Sequence, residues 1–405
     1  MKAATLTPTA PVKTIAAECA PAERIRLLTM VTNFKIGGTE RQVANIALRI
    51  DATRFDLHLA CMQNFGELSR ELEHLAVARP QFNIGPLYAL RTGWQAIRMA
   101  RYVRKNGVQI VHSYGFYPNV FAVAAMRLAR RPIVIASIRD MGDDLTPLQR
   151  NLQRAVCRWA DCILVNAEAI RQRLISQGYR PNNIVVIRNG IMLSRFDEAR
   201  AAADSSRVRA ELGLPHACPV VVVFCRLNQM KGVDYFLDAA AVVARRFPDV
   251  RFLIAGDGAH KRELEQQADR MGLRDRTVFT GFRCDVPALL AEASLSVLPS
   301  LSEGLSNSLL ESMAAGVPAI AARVGGNPEV IADEETGILV PPRDSAALAA
   351  AMTRLLENPD LARRFGDAGR RRVEEYFSVE RSVRETESLY RELVAAIFRK
   401  KAGRI

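Results

Sequence analysis

The sequence predicts an α/β protein made of two doubly wound parallel-sheet domains in tandem. Three observations carry that prediction. At 405 residues the chain exceeds what one core usually organises. Short β-branched runs alternate with segments of helical periodicity, the pattern of a parallel sheet covered on both faces. The alternation then starts again after about residue 200.

In the first half, "RIRLLTMV" reads as a strand and "TERQVANIALRI" as a helix, with apolar positions at helical spacing. "FDLHLACM", "VQIVHS", "PIVIASIR", "CILVNA" and "NIVVIRNG" are the further strands. In the second half, "PVVVVFCRL" leads into the helix "GVDYFLDAAAVVARRF". "VRFLIAGDG" and "RTVFTGF" follow as strands, "DVPALLAEA" as a helix, and "LSVLPS", "PAIAARVGG" and "TGILVPP" as strands. "RAAADSSRVRAELGLPHA" is polar and helical without a strand, so the linker is expected near residues 190–215. The expected layout is a disordered lead-in over 1–23, a first domain over 24–200 and a second over 201–375. Residues 376–405 form a helical segment expected to pack back toward the first domain.

Composition narrows the class. The chain is 49% hydrophobic and 24% charged, ordinary values for a folded protein. No apolar run has the length of a membrane span. "MKAATLTPTAPVKTIAAECAPAER" lacks a continuous apolar core, so it is not read as a signal peptide. Seven cysteines without Cys-x-x-Cys spacing argue against a disulfide framework or zinc site and for a reducing compartment, hence a cytoplasmic location. The net charge of +13 is concentrated: residues 1–200 carry 28 Lys+Arg against 15 Asp+Glu, while the rest balances. A basic half attracts phosphates, nucleic acid or anionic membrane surfaces. An arginine-rich coding bias explains 48 Arg against 8 Lys but not why acids are scarce in one half only. Nucleic acid is disfavoured, because aromatics are few and not interleaved with basic stretches.

In doubly wound sheets ligands bind beyond the C-terminal ends of strands, so motifs should follow strands. "FKIGGTERQ" places Gly37 and Gly38 in a tight turn before a helix that Thr39 can cap; amides at a helix start can hold an anion, but taken alone such a turn is more often structural. "CRLNQMKG" offers Arg226 and Lys231 across a turn, either a clamp on two phosphates or a solvated basic loop. "IAGDGA" is a glycine turn around Gly256, with Asp257 as helix cap or ligand. "PSLSEGLSNSLLESMAAGVPAI" should hold a helix from about Ser306 to Gly316. Backbone amides of Leu305, Ser306, Asn307 and Ser308 can meet a phosphate there. Glu311, inside the helix, suits sugar hydroxyls because a carboxylate only accepts hydrogen bonds. Glu303, on the loop, faces another part of such a ligand. "VGGNPEV" supports that loop, with Glu329 read as structural.

The Glu303-x7-Glu311 pair, with "CRLNQMKG", "IAGDG", "FTGF", "VGGNPE" and "GGTERQ" in this order over residues 25–375, resembles family 4 of the glycosyltransferases. The resemblance implies a GT-B fold, two Rossmann-like domains facing across a cleft. It implies a nucleotide-diphosphate sugar as donor in the second domain and an acceptor in the first. Arg226 and Lys231 then correspond to the diphosphate clamp, Glu311 to the ribose-hydroxyl acceptor and Glu303 to the residue beside the donor sugar. Gly37 and Gly38 correspond to the loop closing over the donor, and Phe282–Arg283 to the position of the base. Hexosyl transfer with anomeric retention, no metal and no further cofactor is implied; the absence of an Asp-x-Asp motif agrees.

One departure concerns the histidine many relatives carry after the strand matching "PIVIASIRD". This chain has Arg139 there, followed by Asp140. His112 stands on the preceding strand and reads as a core or supporting group ahead of one that touches the acceptor. With the basic first half, the resemblance points to a lipid-linked glycan acceptor of surface polysaccharide synthesis, reached from the inner face of the cytoplasmic membrane. A sugar-nucleotide epimerase, a phosphorylase or a non-catalytic relative on the same fold are the alternatives.

Overall fold

The computed structural model describes residues 24–63, 66–129, 132–202 and 205–402. The lead-in expected over 1–23 lies outside them. The first sheet contains β1 (Ile25–Val31), β2 (Phe55–Cys61), β3 (Ile110–Tyr114), β4 (Ile133–Ile138), β5 (Cys162–Val165) and β6 (Ile184–Val186). Its order is β2-β1-β3-β4-β5-β6 and every pairing is parallel. β3 and β4 are buried along their whole length, as strands covered on both faces must be.

The helices between its strands are α1 (Gly38–Ala47), α2 (Leu90–Lys105), α3 (Phe116–Ala129), α4 (Pro147–Cys157) and α5 (Glu168–Ser176). Alternating strand residues feed the two faces. Leu28 and Met30 pack with Met99, Ala100 and Val103 of α2, while Leu27 and Val31 pack with Val43, Ala44 and Ala47 of α1. α2, α3 and α4 are successive neighbours.

After α6 (Ser194–Ala201) and α7 (Ser205–Glu211) the pattern repeats. The second sheet holds β7 (Val220–Phe224), β8 (Arg251–Ala255), β9 (Thr277–Gly281), β10 (Leu295–Leu298), β11 (Ala319–Ala322) and β12 (Gly337–Val340). Its order is β12-β11-β10-β7-β8-β9, again parallel. Around it lie α8 (Val233–Arg246), α9 (Lys261–Arg270), α10 (Val286–Ala291), α11 (Asn307–Ala314), α12 (Asn327–Val330), α13 (Ser345–Glu357) and α14 (Pro359–Tyr376). α6 packs against α10 and so sits with the second sheet. Each sheet changes winding direction once, between β1 and β3 and between β7 and β10; crevices for ligands open at such points.

The last helix, α15 (Val379–Ala402), returns to the first domain and packs on α1. Tyr390 is fully buried there, its hydroxyl 2.7 Å from His112 Nδ1. The two segments that pass between the domains lie side by side. Ile191 N donates to Phe377 O at 2.8 Å, and Val379 N donates to Ile191 O at 3.0 Å.

Tyr390 fills core volume and satisfies a buried imidazole at once. Tyr390→Ala should therefore lower stability by about 3–5 kcal/mol, by the cost of aromatic-to-alanine truncation in a core. Denaturant unfolding followed by circular dichroism measures it; a loss under about 1 kcal/mol would show that α15 is not integral to the first domain.

Candidate active site

Loops leaving the C-terminal ends of β1, β4, β7, β8, β9 and β10 line a cleft of about 780 Å³ between the two sheets. The loop after β10 is shaped by backbone contacts. Gly325 has φ 49°, and a Cβ there would lie 1.8 Å from Glu303 O. Gly326 N donates to Gly304 O at 2.8 Å. The glycine pair of "VGGNPEV" thus seats the Glu303–Gly304 turn directly. Gly256, φ 153°, does the same for the β7 loop, since a Cβ would meet Cys225 O at 1.8 Å. Its place in the wall of the cleft is that of a backbone seat.

α11 begins where its signals predict. Ser306 is the N-cap, and its Oγ accepts from Leu309 N at 3.3 Å. α1 begins differently from the expectation. Gly37 is its N-cap in extended backbone, no side chain closes it, and Thr39 falls inside the first turn. Asp257 does not cap α9 either; its Oδ1 accepts from Gly258 N at 2.7 Å, and His260 is the N-cap of that helix.

Lys231 Nζ lies 2.6 Å from Glu303 Oε1, which also accepts from Ser300 Oγ at 2.6 Å. Glu303 is buried, so this pair is a fixed element of the cleft floor. The side chains of Arg226 and Glu311, by contrast, line the cleft without a hydrogen-bond or ion-pair partner among the described residues. Burial pushes the Glu311 carboxyl up to about 7, against the pull of Arg195 and Arg41. Burial also raises Glu40, opposed by its own backbone amide and by Arg226 and Arg139. Asn228 Oδ1 and Asn166 Oδ1, in the same lining, are buried without a partner. Unsatisfied polar atoms beside an unpaired cation and carboxylate mark a site built for a polar ligand. The Cys225 thiol is a poor nucleophile, because burial drives it up to about 12.

A carboxamide network joins the walls. Asn189 Nδ2 donates to Asn307 Oδ1 at 2.7 Å and to Leu305 O at 3.3 Å. Its Oδ1 accepts from Arg139 and, at 3.2 Å, from Asn166. Asn307 Nδ2 donates onward to Gly38 O at 3.0 Å. Gln42 and Gly190 exchange two hydrogen bonds, at 3.0 and 2.9 Å. Glu329 Oε1 accepts from Ala169 N at 2.9 Å and Oε2 pairs with Arg188 at 3.4 Å, a structural tie between the domains.

The motif order and this geometry agree with the comparisons. Residues 204–372 match the family model described as Glycosyl transferases group 1, and residues 36–195 match Glycosyltransferase Family 4. The chain belongs to glycosyltransferase family 4. It is 30% identical over 290 residues to alpha-D-kanosaminyltransferase of Streptomyces kanamyceticus, covering 69% of this chain and 74% of that protein. It is 28% identical over 275 residues to UDP-Gal:alpha-D-GlcNAc-diphosphoundecaprenol alpha-1,3-galactosyltransferase of Escherichia coli, covering 65% and 70%. The crystal structure of Anabaena Alr3699/HepE with UDP and glucose superposes with a TM-score of 0.80 at 22% identity, over 90% of this chain and 99% of that one. At that identity the likeness speaks for the GT-B fold.

In this glycosyltransferase the cleft gathers Gly37, Gly38, Arg139, Asp140, Arg226, Lys231, Gly256, Phe282, Arg283, Glu303, Leu305, Ser306, Asn307 and Glu311 in one lining. It does not include His112. That imidazole is fully buried, stacked on Tyr114 at 4.2 Å and bonded to Tyr390 and Ser137, so an acceptor-side role is excluded by lack of access. The Asn307 side chain is occupied as a strut between the domains, and that of Leu305 packs in the core. Arg283 is held by Asp285 at 2.6 Å and by Glu211, leaving exposed Phe282 as the free surface at the rim. Reading the sequence missed Glu40, Asn189 and Arg195. Glu40 stood in a quoted motif and is the acid of the first turn of α1, the one signal available.

The raised Glu311 carboxyl has a pH consequence. In an unfolded chain it ionises near its ordinary value of 4.5, whereas folded it keeps its proton to about 7. Its ionisation therefore opposes folding increasingly as pH rises through that window. Glu311→Gln removes the opposition: the ligand-free variant should melt ~2–4 °C above wild type at pH 8, with the gap clearly narrower at pH 5.5. Differential scanning fluorimetry at both pH values decides; an equal gap at both would contradict it.

Proposed function

We propose that this glycosyltransferase moves a hexosyl group from a nucleotide-diphosphate sugar to a lipid-linked glycan acceptor, with retention of anomeric configuration and without a metal. The observation that carries the reading is one cleft holding an unpaired cation, Arg226, an unpaired carboxylate, Glu311, and the fixed Lys231–Glu303 pair.

Each group has work to do on such a donor. Arg226, Lys231 and the first amides of α11 offset the charge that grows on the leaving diphosphate. Glu311, ionised, accepts from the two ribose hydroxyls. Glu303 holds Lys231 in place and presents its remaining oxygen toward the sugar. A glycosidase-like pair of free carboxylates is not the basis of the reaction, because Glu303 is already engaged. In the step, the bond from the anomeric carbon to the phosphate oxygen breaks. The acceptor oxygen bonds to that carbon on the same face, and its proton passes to the departing phosphate. A membrane-borne acceptor is supported by the basic first half and by the E. coli relative, whose name specifies a diphosphoundecaprenol-linked substrate. Action would then take place at the inner face of the cytoplasmic membrane.

A donor screen tests this. Purified protein is incubated with UDP-, GDP- and other nucleotide sugars, with and without membrane lipid extract, and free nucleotide is followed. One donor should release nucleotide only with extract, Lys231→Ala should cut the rate about 10²–10³-fold, and Glu311→Ala should raise the donor KM. Turnover of donor without any acceptor would point instead to an epimerase, and tight nucleotide binding without release to a non-catalytic relative.

A further inference from the structure

Residues 74–139 contain no aspartate or glutamate, and neither do residues 145–160. These stretches hold α2, α3 and α4, which lie side by side on one face of the first sheet. The same helices carry large apolar side chains in water. Tyr88 is 92% and Leu90 96% exposed, and Trp94, Leu148, Leu152 and Trp159 are also exposed. Exposed cations stand among them: Arg91, Arg101, Arg104 and Lys105 on α2, Arg127 on α3 and Arg158 after α4. None of the six has an ion-pair partner among the described residues. The patch runs from one helix to the next where Arg127 of α3 stacks over Trp159, just after α4, at 5.3 Å.

Acids at its margin are engaged elsewhere. Asp143 pairs with Arg173 at 2.9 Å, Asp144 lines the cleft, and Asp161 accepts from Val134 N at 2.8 Å. Aromatic and aliphatic side chains mixed with unneutralised arginines, with no acid, are the pattern of a surface that lies in a lipid headgroup layer. A nucleic acid would match the charges but would leave Leu90, Leu148 and Leu152 in water.

We propose that the face formed by α2, α3 and α4 seats this protein on an anionic bilayer. Tyr88, Leu90, Trp94 and Leu148 enter the headgroup region while the arginines meet lipid phosphates. The proposal deepens the transfer reading by naming the surface that meets a membrane-borne acceptor, and rests on that reading for the acceptor alone. In a parallel sheet each crossover helix starts at the C-terminal edge of the strands. Tyr88 and Leu90 at the start of α2, and Leu148 at the start of α4, therefore lie toward the edge that carries the cleft.

The chain has two tryptophans, Trp94 and Trp159, and both lie on this face, so intrinsic fluorescence reports on it directly. The full-length protein, without donor, is mixed with vesicles of phosphatidylcholine alone or with added phosphatidylglycerol, and emission and quenching by brominated lipid are recorded. Binding with a blue shift and quenching only on phosphatidylglycerol vesicles, weakened by salt, is expected. The triple variant Arg91→Gln, Arg101→Gln, Arg104→Gln should lose about tenfold or more in vesicle affinity while its nucleotide binding by calorimetry is unchanged. Equal binding to both vesicle types, absence of quenching, or a stable dimer that shields both tryptophans would overturn the proposal. Vesicle binding intact in a protein that binds no nucleotide would support this face and refute the transfer reading. Nucleotide release with no vesicle binding would do the reverse.

Discussion

The side chain of Asn189 holds the two halves of the cleft in register. It sits just beyond β6, buried, and uses both ends of its carboxamide. Its oxygen orients Arg139 and Asn166 on the first domain, and its nitrogen orients Asn307 and the Leu305 carbonyl on the second. Asn307 then reaches Gly38, so the start of α1, the start of α11 and the loop after β4 share one hydrogen-bond frame. An apolar contact here would bury area but would not set direction. Hydrogen bonds in a dry interface do, and removing one partner leaves the others unsatisfied at about 1–3 kcal/mol each.

That frame lets the cleft keep charges in an unrelaxed state. Lys231 is paired with Glu303, while the Arg226 side chain forms no ion pair among the described residues and feels the Glu40 carboxyl only at longer range. Glu311 and Glu40 are carboxyls that burial drives toward their protonated forms. Left to local energetics, such groups would find partners or water. Here loop backbone, pinned by Gly256, Gly304, Gly325 and Gly326, holds them apart. The cleft is thus less stable alone than it would be with a polar, anionic ligand in place, which is a condition for selective binding.

Much of this was legible in the sequence. The strands were, because fully buried parallel strands need unbroken apolar runs such as Val220–Phe224. The start of α11 was, because Ser306 and Gly316 are local signals whose physics acts within one turn. The loop glycines were, although what they approach was not. Asn189, Gln42 and Arg195 were not legible: their roles depend on partners more than a hundred residues away, as in the 148-residue separation of Gln42 and Gly190. The link between Lys231 and Glu303 spans 72 residues and was hidden for the same reason, though each residue was singled out. For His112 the core role was the reading the sequence favoured, but the group that buries it was out of view. A histidine on a strand near the ligand edge invites a chemical reading, yet Tyr390, 278 residues on, closes over it. Thr39 looked like a cap because its residue type favours one, but the chain is extended at Gly37 and enters the helix two residues early.

The two passages between the domains are hydrogen-bonded to each other at Ile191 and Ser378–Val379. A single covalent connection would let one body swivel freely on the other. Two adjacent ones behave like paired pins on a door, which block swivelling and leave bending about the line they define. The carboxamide frame begins at that line, because Asn189 and Gly190 directly precede Ile191, so the pins and the hydrogen bonds that align the cleft walls are one continuous structure. Because the second pin is the chain just before α15, the far end of the sequence sets the mechanical freedom of a site made from its middle.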